Sequence, residues 1–214
     1  MLSGKNKGWI IMKTNTWTDK YENFYLKSIC KSTPELLLSI ESSLYGQSWT
    51  MNEKRHADAM WRLYSKYPGN KEESYDKLKN ISVKINTKVS KLFNAINAVS
   101  YKATAYIGQV KYKSKNEIVE WVKNPTSNAV VDSLFIKKDA FRYERESRII
   151  IMTNSSRKRE RMIRLKINPL DLIDSYVLDP RLTDTQYSII KNELIKRGIK
   201  ESKISQSKVY EFDL

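Results

Sequence analysis

The chain has 214 residues, of which 40% are hydrophobic and 29% charged, and its formal net charge at pH 7 is +15. This composition excludes collagen-like, low-complexity and wholly disordered chains, and no apolar run approaches the roughly 20 residues that a transmembrane helix needs. The single cysteine, Cys30, excludes an intramolecular disulfide, and one histidine, His56, cannot form a multi-histidine metal site. With no signal-peptide pattern, we expect a cytoplasmic protein with no membrane partner and no bound metal.

Residue periodicity predicts strands and helices in mixed order through the first half of the chain. In chain order these are a strand at 8–13, a segment of ambiguous type at 18–30, a helix at 35–42, a strand at 45–51 and a helix at 54–66. The polar segment 67–80 contains Pro68-Gly69-Asn70, which predicts a loop or an insert.

The second half continues in the same mixed order. The predicted elements are strands at 81–85, 104–113, 149–152, 163–167, 176–178 and 208–212, and helices at 88–99, 116–123 and 183–197. The apolar run 149–152 predicts a strand that is buried on both faces, and a basic turn joins it to the next strand. Thr183 and Gln186 form a capping-box pattern, with Gly198 just after the helix. Because regular βαβ alternation is missing, we predict a single α+β domain over 1–214, with a mixed, largely antiparallel central sheet flanked by helices.

The positive charge is unevenly distributed along the chain. Residues 51–150 carry 20 basic and 11 acidic side chains, which is most of the excess. A field of this sign attracts polyanions such as nucleic acid, nucleotides or an anionic membrane surface. The alternative is a lysine-rich surface that only keeps the protein in solution.

A first candidate site is the pair Glu144 and Glu146, directly before the buried strand. On an extended backbone the two carboxylates point the same way, and a carboxylate at a sheet end can stabilise a developing positive charge such as a ribosyl oxocarbenium ion. The interleaved arginines, which could hold phosphates or neutralise the acids, are Arg142, Arg145 and Arg148. The alternative is an exposed ladder of Glu–Arg pairs that contributes little.

A second candidate is Ser48-Trp49-Thr50, followed one helix later by Arg62. The two hydroxyls share one face of a strand and, with the arginine, could bind a ribose, an amide or a phosphate. The alternative is ordinary surface hydroxyls beside a core formed by Trp49, Met60, Trp61 and Tyr64.

A third candidate is a basic cluster in the predicted hairpin turn before 163–167. Its members are Arg157, Lys158, Arg159 and Arg161. Binding of nucleic-acid phosphates is one interpretation, and a solvated turn is the other.

Several stretches together resemble the bacterial family named domain of unknown function 2971. In chain order they are Trp17-Thr18-Asp19 with Glu22-Asn23, Tyr45-Gly46-Gln47-Ser48-Trp49-Thr50, Asp58-Ala59-Met60-Trp61-Arg62-Leu63-Tyr64-Ser65, Tyr106-Ile107-Gly108-Gln109-Val110-Lys111-Tyr112, and Phe135-Ile136-Lys137-Lys138 followed by Phe141, Tyr143-Glu144, Glu146 and Arg148. The resemblance runs from residue 17 through most of the chain, and it implies no particular chemistry.

The chain also resembles the ADP-ribosyltransferases of the Arg, Ser-x-Ser, Glu-x-Glu type, through Ser48-Trp49-Thr50 and Glu144-Arg145-Glu146. The resemblance implies that Glu146 is the catalytic carboxylate, that Glu144 orients the acceptor and that Ser48 and Thr50 support the nicotinamide pocket. Arg62 and Tyr143 are further candidates for contact with NAD. Those enzymes bind the NAD diphosphate with an arginine on an N-terminal strand. Residues 1–47 contain no arginine, so Lys5, Lys7, Lys13 or Arg62 would have to replace it.

The sequence therefore predicts an ADP-ribosyltransferase-like enzyme in a toxin or phage-defence setting. NAD would be its substrate, and the basic surface indicates nucleic acid as the acceptor of ADP-ribose. The alternatives are a non-catalytic, basic nucleic-acid-binding module and a protein-interaction subunit whose charge is incidental. The enzyme hypothesis requires Glu146 to lie beside Ser48 and Thr50 in one cleft.

Overall fold

The computed structural model describes residues 8–17, 24–29, 34–51, 57–99, 103–154 and 160–211. The chain divides into two compact units. The five-strand unit comprises 8–51 and 93–167, and the three-strand unit comprises 1–7, 52–92 and 168–214. Both helices and strands occur throughout, which confirms the α+β class.

The strands and helices lie close to most of the predicted ones. The strands are β1 Trp9–Lys13, β2 Leu44–Thr50, β3 Val83–Asn86, β4 Ala103–Gln109, β5 Lys111–Lys113, β6 Ile136–Lys138, β7 Glu146–Thr153, β8 Met162–Leu165, β9 Ser175–Leu178 and β10 Ile204–Gln206. The α-helices are α1 Phe24–Ile29, α2 Pro34–Glu41, α3 Ala57–Tyr64, α4 Tyr75–Leu78, α5 Val89–Val99, α6 Lys115–Lys123, α7 Ala129–Ser133, α8 Pro169–Leu172 and α9 Asp184–Lys196. Short 3-10 helices occur at Thr14–Thr16, Asp139–Glu144 and Glu201–Lys203.

The five-strand unit is built on an antiparallel sheet with the strand order β4-β7-β2-β1-β8. Strand β7 has a neighbour on each side, and each of its residues 149–151 is at most 1% exposed. This confirms the predicted strand that is buried on both faces, and it explains the continuous apolar run, because neither face of such a strand meets water.

One face of this sheet carries the core that positions the candidate site. Residues directly opposite each other on antiparallel strands share a face, so Ser48 lies with Arg148, and Thr50 with Glu146. Further along the same face, Ile150 and other apolar side chains form a closed cluster. Its other buried members are Leu26 of α1, Leu44 of β2, and Val131 and Leu134 in and after α7. The polar residues at the end of β2 and the start of β7 therefore lie on the same sheet face as this core, directly beyond it.

The three-strand unit has the strand order β10-β9-β3, with β10 parallel and β3 antiparallel to β9. The predicted capping box of α9 is present, since Thr183 and Gln186 bond each other's backbone N–H groups. Gly198 follows the helix with a φ of +88°, a conformation that glycine adopts without strain. The buried Gln186 amide also donates to the carbonyls of Gly69 and Glu72, both at 2.8 Å, and so anchors the segment 67–80, which includes α4.

Two sequence predictions about strands were wrong. The strand at 163–167 was expected to form a hairpin with 149–152, but β8 pairs with β1 because β2 and β4 already occupy both edges of β7. The final strand was expected at 208–212, whereas β10 is at Ile204–Gln206, where Ile204 is buried beside β9.

The predicted strand 104–113 is two strands. The N–H of Val110 bonds to the carbonyl of Glu146 at 2.9 Å, and the N–H of Lys111 bonds to the carbonyl of Phe135 at 2.7 Å. The chain therefore leaves the central sheet at Val110, and β5 pairs in parallel with β6. Neither α7 nor β6 was predicted, since both are too short to establish a period.

Candidate functional site

Four ionisable side chains meet at the start of β7. The ammonium group of Lys137 donates to Oε2 of Glu144 at 2.6 Å and to Oε1 of Glu146 at 3.0 Å. The Nε of Arg148 donates to Oε2 of Glu146 at 2.7 Å. Each of these side chains is at most 10% exposed. The two acids and two bases form a buried cluster, which excludes the exposed ladder of Glu–Arg pairs.

The backbone around Arg145 brings the two glutamates together. Arg145 has a φ of 45°, in the left-handed region, and it joins the 3-10 helix Asp139–Glu144 to β7. Glu144 and Glu146 thus belong to different elements, yet both carboxylates reach Lys137. The two acids converge as predicted, although a kinked link rather than an extended strand turns them the same way.

The pairing of β5 with β6 positions Lys137, one of the two cations of the cluster. Tyr112 and Lys137 are neighbours across the two strands. The Tyr112 hydroxyl accepts a hydrogen bond from the backbone N–H of Glu146 at 2.7 Å. Tyr112 therefore fixes the first residue of β7, and Lys137 approaches its carboxylate from the same side.

Arg148 is held on three sides. Beyond Glu146, its Nη1 donates to the carbonyl of Leu134 at 2.6 Å, and its guanidinium carbon lies 4.6 Å from the centre of a Trp17 ring. Gly46 makes this stacking possible, because a Cβ at that position would lie 2.4 Å from Cζ2 of Trp17. A buried arginine is tolerated when its donors and its face are occupied in this way.

The surroundings of Glu144 and Glu146 shift the pKa values of the two carboxyl groups in opposite directions. Burial raises the pKa of Glu144, and the hydrogen bond and negative charge of Glu146 raise it further against the opposing effect of Lys137. Burial also disfavours the charged form of Glu146, but the charge of Arg148 and hydrogen bonds from Glu144 and Lys137 outweigh it and lower its pKa. Burial opposes the charge on Lys137, yet its bonds to both acids raise its pKa to about 12. The site therefore favours the charged form of Glu146 and the neutral form of Glu144.

The predicted hydroxyl residues lie beside the ionised carboxylate. The Oγ of Ser48 donates to Oε2 of Glu146 at 3.4 Å, and Thr50 is the backbone partner of Glu146 in the sheet. Ser48 and Thr50 are both exposed, so solvent reaches this end of the sheet. Trp49 points to the opposite face and stacks on Trp9, with ring centres 5.8 Å apart. The expected juxtaposition of Ser48, Thr50 and Glu146 is therefore present on one sheet face.

Other predicted residues are placed differently. Tyr143 is 39% exposed in the 3-10 helix that ends at Glu144. Arg62 belongs to the three-strand unit, where its Nε pairs with Asp58 at 2.9 Å. Lys13 is buried on the sheet face opposite Ser48, since its partner is Tyr45, so it does not replace the missing arginine as a ligand for the NAD diphosphate.

The basic cluster at 157–161 is described only in part. Arg161 is exposed, and its carbonyl accepts a hydrogen bond from the Lys13 N–H at 2.9 Å, which ties it to β1 rather than to a hairpin with β7. Arg157, Lys158 and Arg159 lie outside the described residues, as do Lys5, Lys7, Cys30 and His56.

Sequence reasoning missed Lys137 and Tyr112 as members of the site. One signal could have found the lysine: two glutamates next to a buried strand need more than one cation when water is excluded, and Lys137 precedes them by less than ten residues. Tyr112 gave no such signal, since a tyrosine alternating with lysines is typical of any half-buried strand.

Comparisons with known proteins do not assign this site to a family. None of the protein-family models matches the chain. Searches of curated proteins and of solved structures also found no significant match. The resemblances to domain of unknown function 2971 and to ADP-ribosyltransferases therefore stay predictions.

Two further observations concern the described part of the chain. Within it, no group of three or more His, Cys, Asp or Glu side chains is placed to hold a metal ion. None of the helices in the described ranges is long and apolar enough to cross a bilayer.

Proposed function

We propose that the chain is an ADP-ribosyltransferase that cleaves NAD at the Glu146 site. The observation that supports this is the contact between Ser48 Oγ and Glu146 Oε2, 3.4 Å apart, at an exposed end of the central sheet. A carboxylate that stays ionised although nearly buried is suited to stabilise positive charge on a bound sugar.

The proposed reaction needs one carboxylate to stabilise positive charge and another to accept a proton. The bond between the nicotinamide nitrogen and C1′ of the ribose breaks, and its electron pair leaves with nicotinamide, which becomes neutral. The positive charge passes to C1′ and the ring oxygen, where Glu146 stabilises it. An acceptor oxygen or nitrogen then bonds to C1′, and its proton passes to Glu144. With water as the acceptor, the product is free ADP-ribose.

The hydrogen bonds of Glu146 leave room for a substrate hydroxyl. Its Oε2 accepts from Arg148 and Ser48, whereas Oε1 accepts from Lys137. A carboxylate offers about four acceptor positions, so Oε1 can take one more donor. Glu144 competes for that position, because a hydrogen bond between the two carboxyls raises the pKa of Glu144 and lowers that of Glu146. We propose that a ribose hydroxyl takes this position once Glu144 is ionised.

The acceptor and the biological setting are part of the same proposal. The net charge of +15 attracts polyanions, and we propose nucleic acid as the polyanion that accepts ADP-ribose. Transfer of ADP-ribose to a nucleic acid would block its template function, which suits a cytoplasmic toxin or a phage-defence protein.

The test is release of nicotinamide and transfer of labelled ADP-ribose from NAD by the purified full chain, beside Glu146→Gln and Ser48→Ala. We expect Glu146→Gln to lower the rate about 100- to 1,000-fold, since it removes the stabilising charge. Ser48→Ala removes one neutral hydrogen bond, and we expect a loss of about fivefold. Glu120→Gln, on the exposed face of α6, is the matched control and should keep full activity.

Release of nicotinamide by the wild-type chain that is lost only in Glu146→Gln supports the proposal. Equal rates for wild type and Glu146→Gln, or no release by either when both are folded, would overturn it. Separate pools of DNA, RNA and protein in the same assay identify the acceptor class.

A further inference from the structure

We infer that the hydroxyl group of Tyr112 donates a hydrogen bond to a sugar hydroxyl of the substrate and so makes the Glu146 site specific for ribose over 2-deoxyribose. Tyr112 lies in β5, outside the two acids and two bases of the buried cluster. The inference deepens the proposed function, and it rests on that function for the choice of NAD as the substrate.

Tyr112 faces the Glu146 site. It is the partner of Lys137 in the register of β5 and β6, so the two side chains lie on one face of these strands. The ammonium group of Lys137 bonds to the carboxylate of Glu146 at 3.0 Å. The hydroxyl oxygen of Tyr112 lies 2.7 Å from the backbone nitrogen of Glu146. The phenol therefore reaches the residue whose carboxylate is proposed to stabilise the sugar.

The half-buried hydroxyl of Tyr112 has a proton that the fold does not use. A phenol offers one donor and two acceptor positions, and one acceptor position takes the backbone N–H of Glu146. Within the described ranges, neither a side chain nor a carbonyl group accepts a hydrogen bond from this hydroxyl. The proton is therefore available to a molecule that binds at the site.

The surroundings keep this proton on the oxygen at neutral pH. Burial raises the pKa of the Tyr112 phenol above its ordinary value of 10.0, and the negative charges of Glu146 and Glu144 raise it further. The hydrogen bond from the N–H of Glu146 and the charge of Lys137 oppose this shift without outweighing it. The phenol is therefore a neutral donor at pH 7.

The ring of Tyr112 is held in place before any substrate binds. The guanidinium carbon of Arg142 lies 5.9 Å from the ring centre, and its Nη2 donates to the Tyr112 carbonyl at 3.5 Å. The N–H of Glu146 holds the other end of the side chain. A donor that is already fixed loses little conformational freedom when it binds a ligand.

A sugar hydroxyl is the group that matches Tyr112 and Glu146 together. A hydroxyl both donates and accepts, so it can donate to the Oε1 of Glu146 and accept from Tyr112. The 2′-hydroxyl is attached to the carbon next to C1′, where Glu146 is proposed to act. A 2-deoxy sugar would leave both protein groups without this partner, and a polar site rejects an analogue that leaves its groups unpaired.

The test compares NAD with an analogue that lacks the 2′-hydroxyl of the nicotinamide ribose, by kcat/KM for release of nicotinamide. The intrinsic reactivity of the analogue cancels when its ratio to NAD is compared between wild type and Tyr112→Phe. The variant also leaves the N–H of Glu146 without its acceptor, but that loss affects both substrates alike. We therefore expect the preference for NAD to fall about fivefold, the effect of one neutral hydrogen bond.

Matched controls show that the effect belongs to this hydroxyl. Tyr187→Phe changes a half-buried tyrosine of the three-strand unit and should keep the wild-type preference. An NAD analogue without the 2′-hydroxyl of the adenosine ribose should be treated alike by wild type and Tyr112→Phe. A further variant with p-aminophenylalanine at position 112 keeps N–H donors at the tip of the ring, so we expect it to keep the preference. Thermal melting shows whether each variant is folded.

An unchanged preference in folded Tyr112→Phe would overturn the inference. A preference lost in the p-aminophenylalanine variant would overturn it also, as would an effect confined to the adenosine ribose.

Equilibrium binding separates this inference from the proposed function. Isothermal titration calorimetry gives the dissociation constants of NAD and the analogue without turnover. A binding preference that falls in Tyr112→Phe, without release of nicotinamide by the wild type, would keep the ribose contact and overturn the enzyme. Release of nicotinamide with an unchanged preference would keep the enzyme and overturn the role of Tyr112. Absence of both binding and release would overturn both.

Discussion

Each compact unit contains a buried carboxylate that pairs with an arginine, but the two arrangements differ in the number of acids and bases. In the five-strand unit, Arg148 and Lys137 bind two coupled carboxyls beside an exposed serine. In the three-strand unit, Asp179 is fully buried and pairs with Arg181, whose Nη2 lies 2.6 Å from Oδ2.

The Asp179–Arg181 pair is closed. Oδ1 of Asp179 accepts from both the backbone N–H and the Nε of Arg181, each at 2.9 Å. The Nη2 of Arg181 also donates to the carbonyls of Trp61 and Ser65, both at 3.3 Å, at the C-terminal end of α3. The pair therefore caps that helix with a cation, the charge that this end favours.

The comparison teaches how a structural charge pair differs from a candidate active site. Burial disfavours the charge on Asp179, but hydrogen bonds from Arg181 and Ser65 lower its pKa, so one acid meets one base. At the Glu146 site two acids compete for the same lysine, and their pKa values move in opposite directions. Such separation of two neighbouring acids is typical of acid–base sites, whereas a closed pair is typical of a fold constraint.

The largest effect on stability is expected from Asp179→Asn. It leaves Arg181, whose side chain is 20% exposed, without its counter-charge, so we expect a loss of about 3 kcal/mol, the lower end of the range for a buried pair. Urea denaturation checks the free energy of unfolding, with Asp76→Asn, whose side chain is 89% exposed in the same unit, as the control. The rate of NAD cleavage per folded molecule should not change. A lower rate per folded molecule would show that the Asp179–Arg181 pair affects activity, and it would remove the distinction between that pair and the Glu146 site.

A smaller loss is expected from Lys137→Met. Glu146 then keeps its pair with Arg148, whereas Glu144 loses its pair with Lys137. One of the two acids can relieve the repulsion by taking a proton, so we expect a loss of about 2–3 kcal/mol at pH 7. The folded-state pKa of Lys137, about 12, lies above its ordinary value of 10.5. Its contribution is therefore present below pH 10.5 and is lost as the pH rises to 12. The melting temperature of Lys137→Met should lie below that of the wild type up to pH 10.5 and approach it as the pH rises to 12. The exposed Lys123→Met should follow the wild type throughout.

We expect Gly46→Ala to lower the free energy of unfolding by about 1–3 kcal/mol, which is the usual cost of overpacking a core. The added methyl group would force Trp17 away from β2 and from the guanidinium of Arg148. Thermal denaturation measures the loss. Gly69→Ala is a poor control because its φ is +100°, whereas Gly108→Ala meets only the edge of Phe135 at 3.3 Å and should cost less. Equal costs at 46 and 108 would contradict the packing described here.

The smallest effect is expected from Glu144→Gln, about tenfold in the rate of NAD cleavage at its optimum. Glu144 must be ionised to accept a proton, and its pKa is raised, so the wild-type rate should increase as the pH rises through that value. The variant should lose this limb of the profile, and its rate is compared per folded molecule because Glu144 is buried against Lys137. An unchanged limb would assign it to another group.

The sequence predicted the elements whose pattern is local. The amphipathic α5 and the capped α9 each lie within one residue of their predicted bounds, and β7 contains the predicted run 149–152 but begins three residues earlier. Sheet order was not accessible in the same way, because the pairing of β8 with β1 depends on which edges the other strands leave open.

The candidate site shows the same division. Ser48 and Glu146 were predicted together from the resemblance to ADP-ribosyltransferases, and the strand register places them on one face. Lys137 reaches them only because the chain leaves the central sheet at Val110 and forms the parallel β5–β6 pair. That departure has no signature in the periodicity of 104–113, which continues through the break.

The fit between Gly46 and Trp17 also constrains how this chain can change over time. No side chain larger than hydrogen can enter β2 at that position while the indole stays in place. A substitution at 46 must therefore be accompanied by a smaller residue at 17, and the stacked guanidinium of Arg148 would then lose its cover. The three positions form a coupled unit across 131 positions of sequence, and distant relatives that keep the carboxylate site should be recognisable by keeping all three.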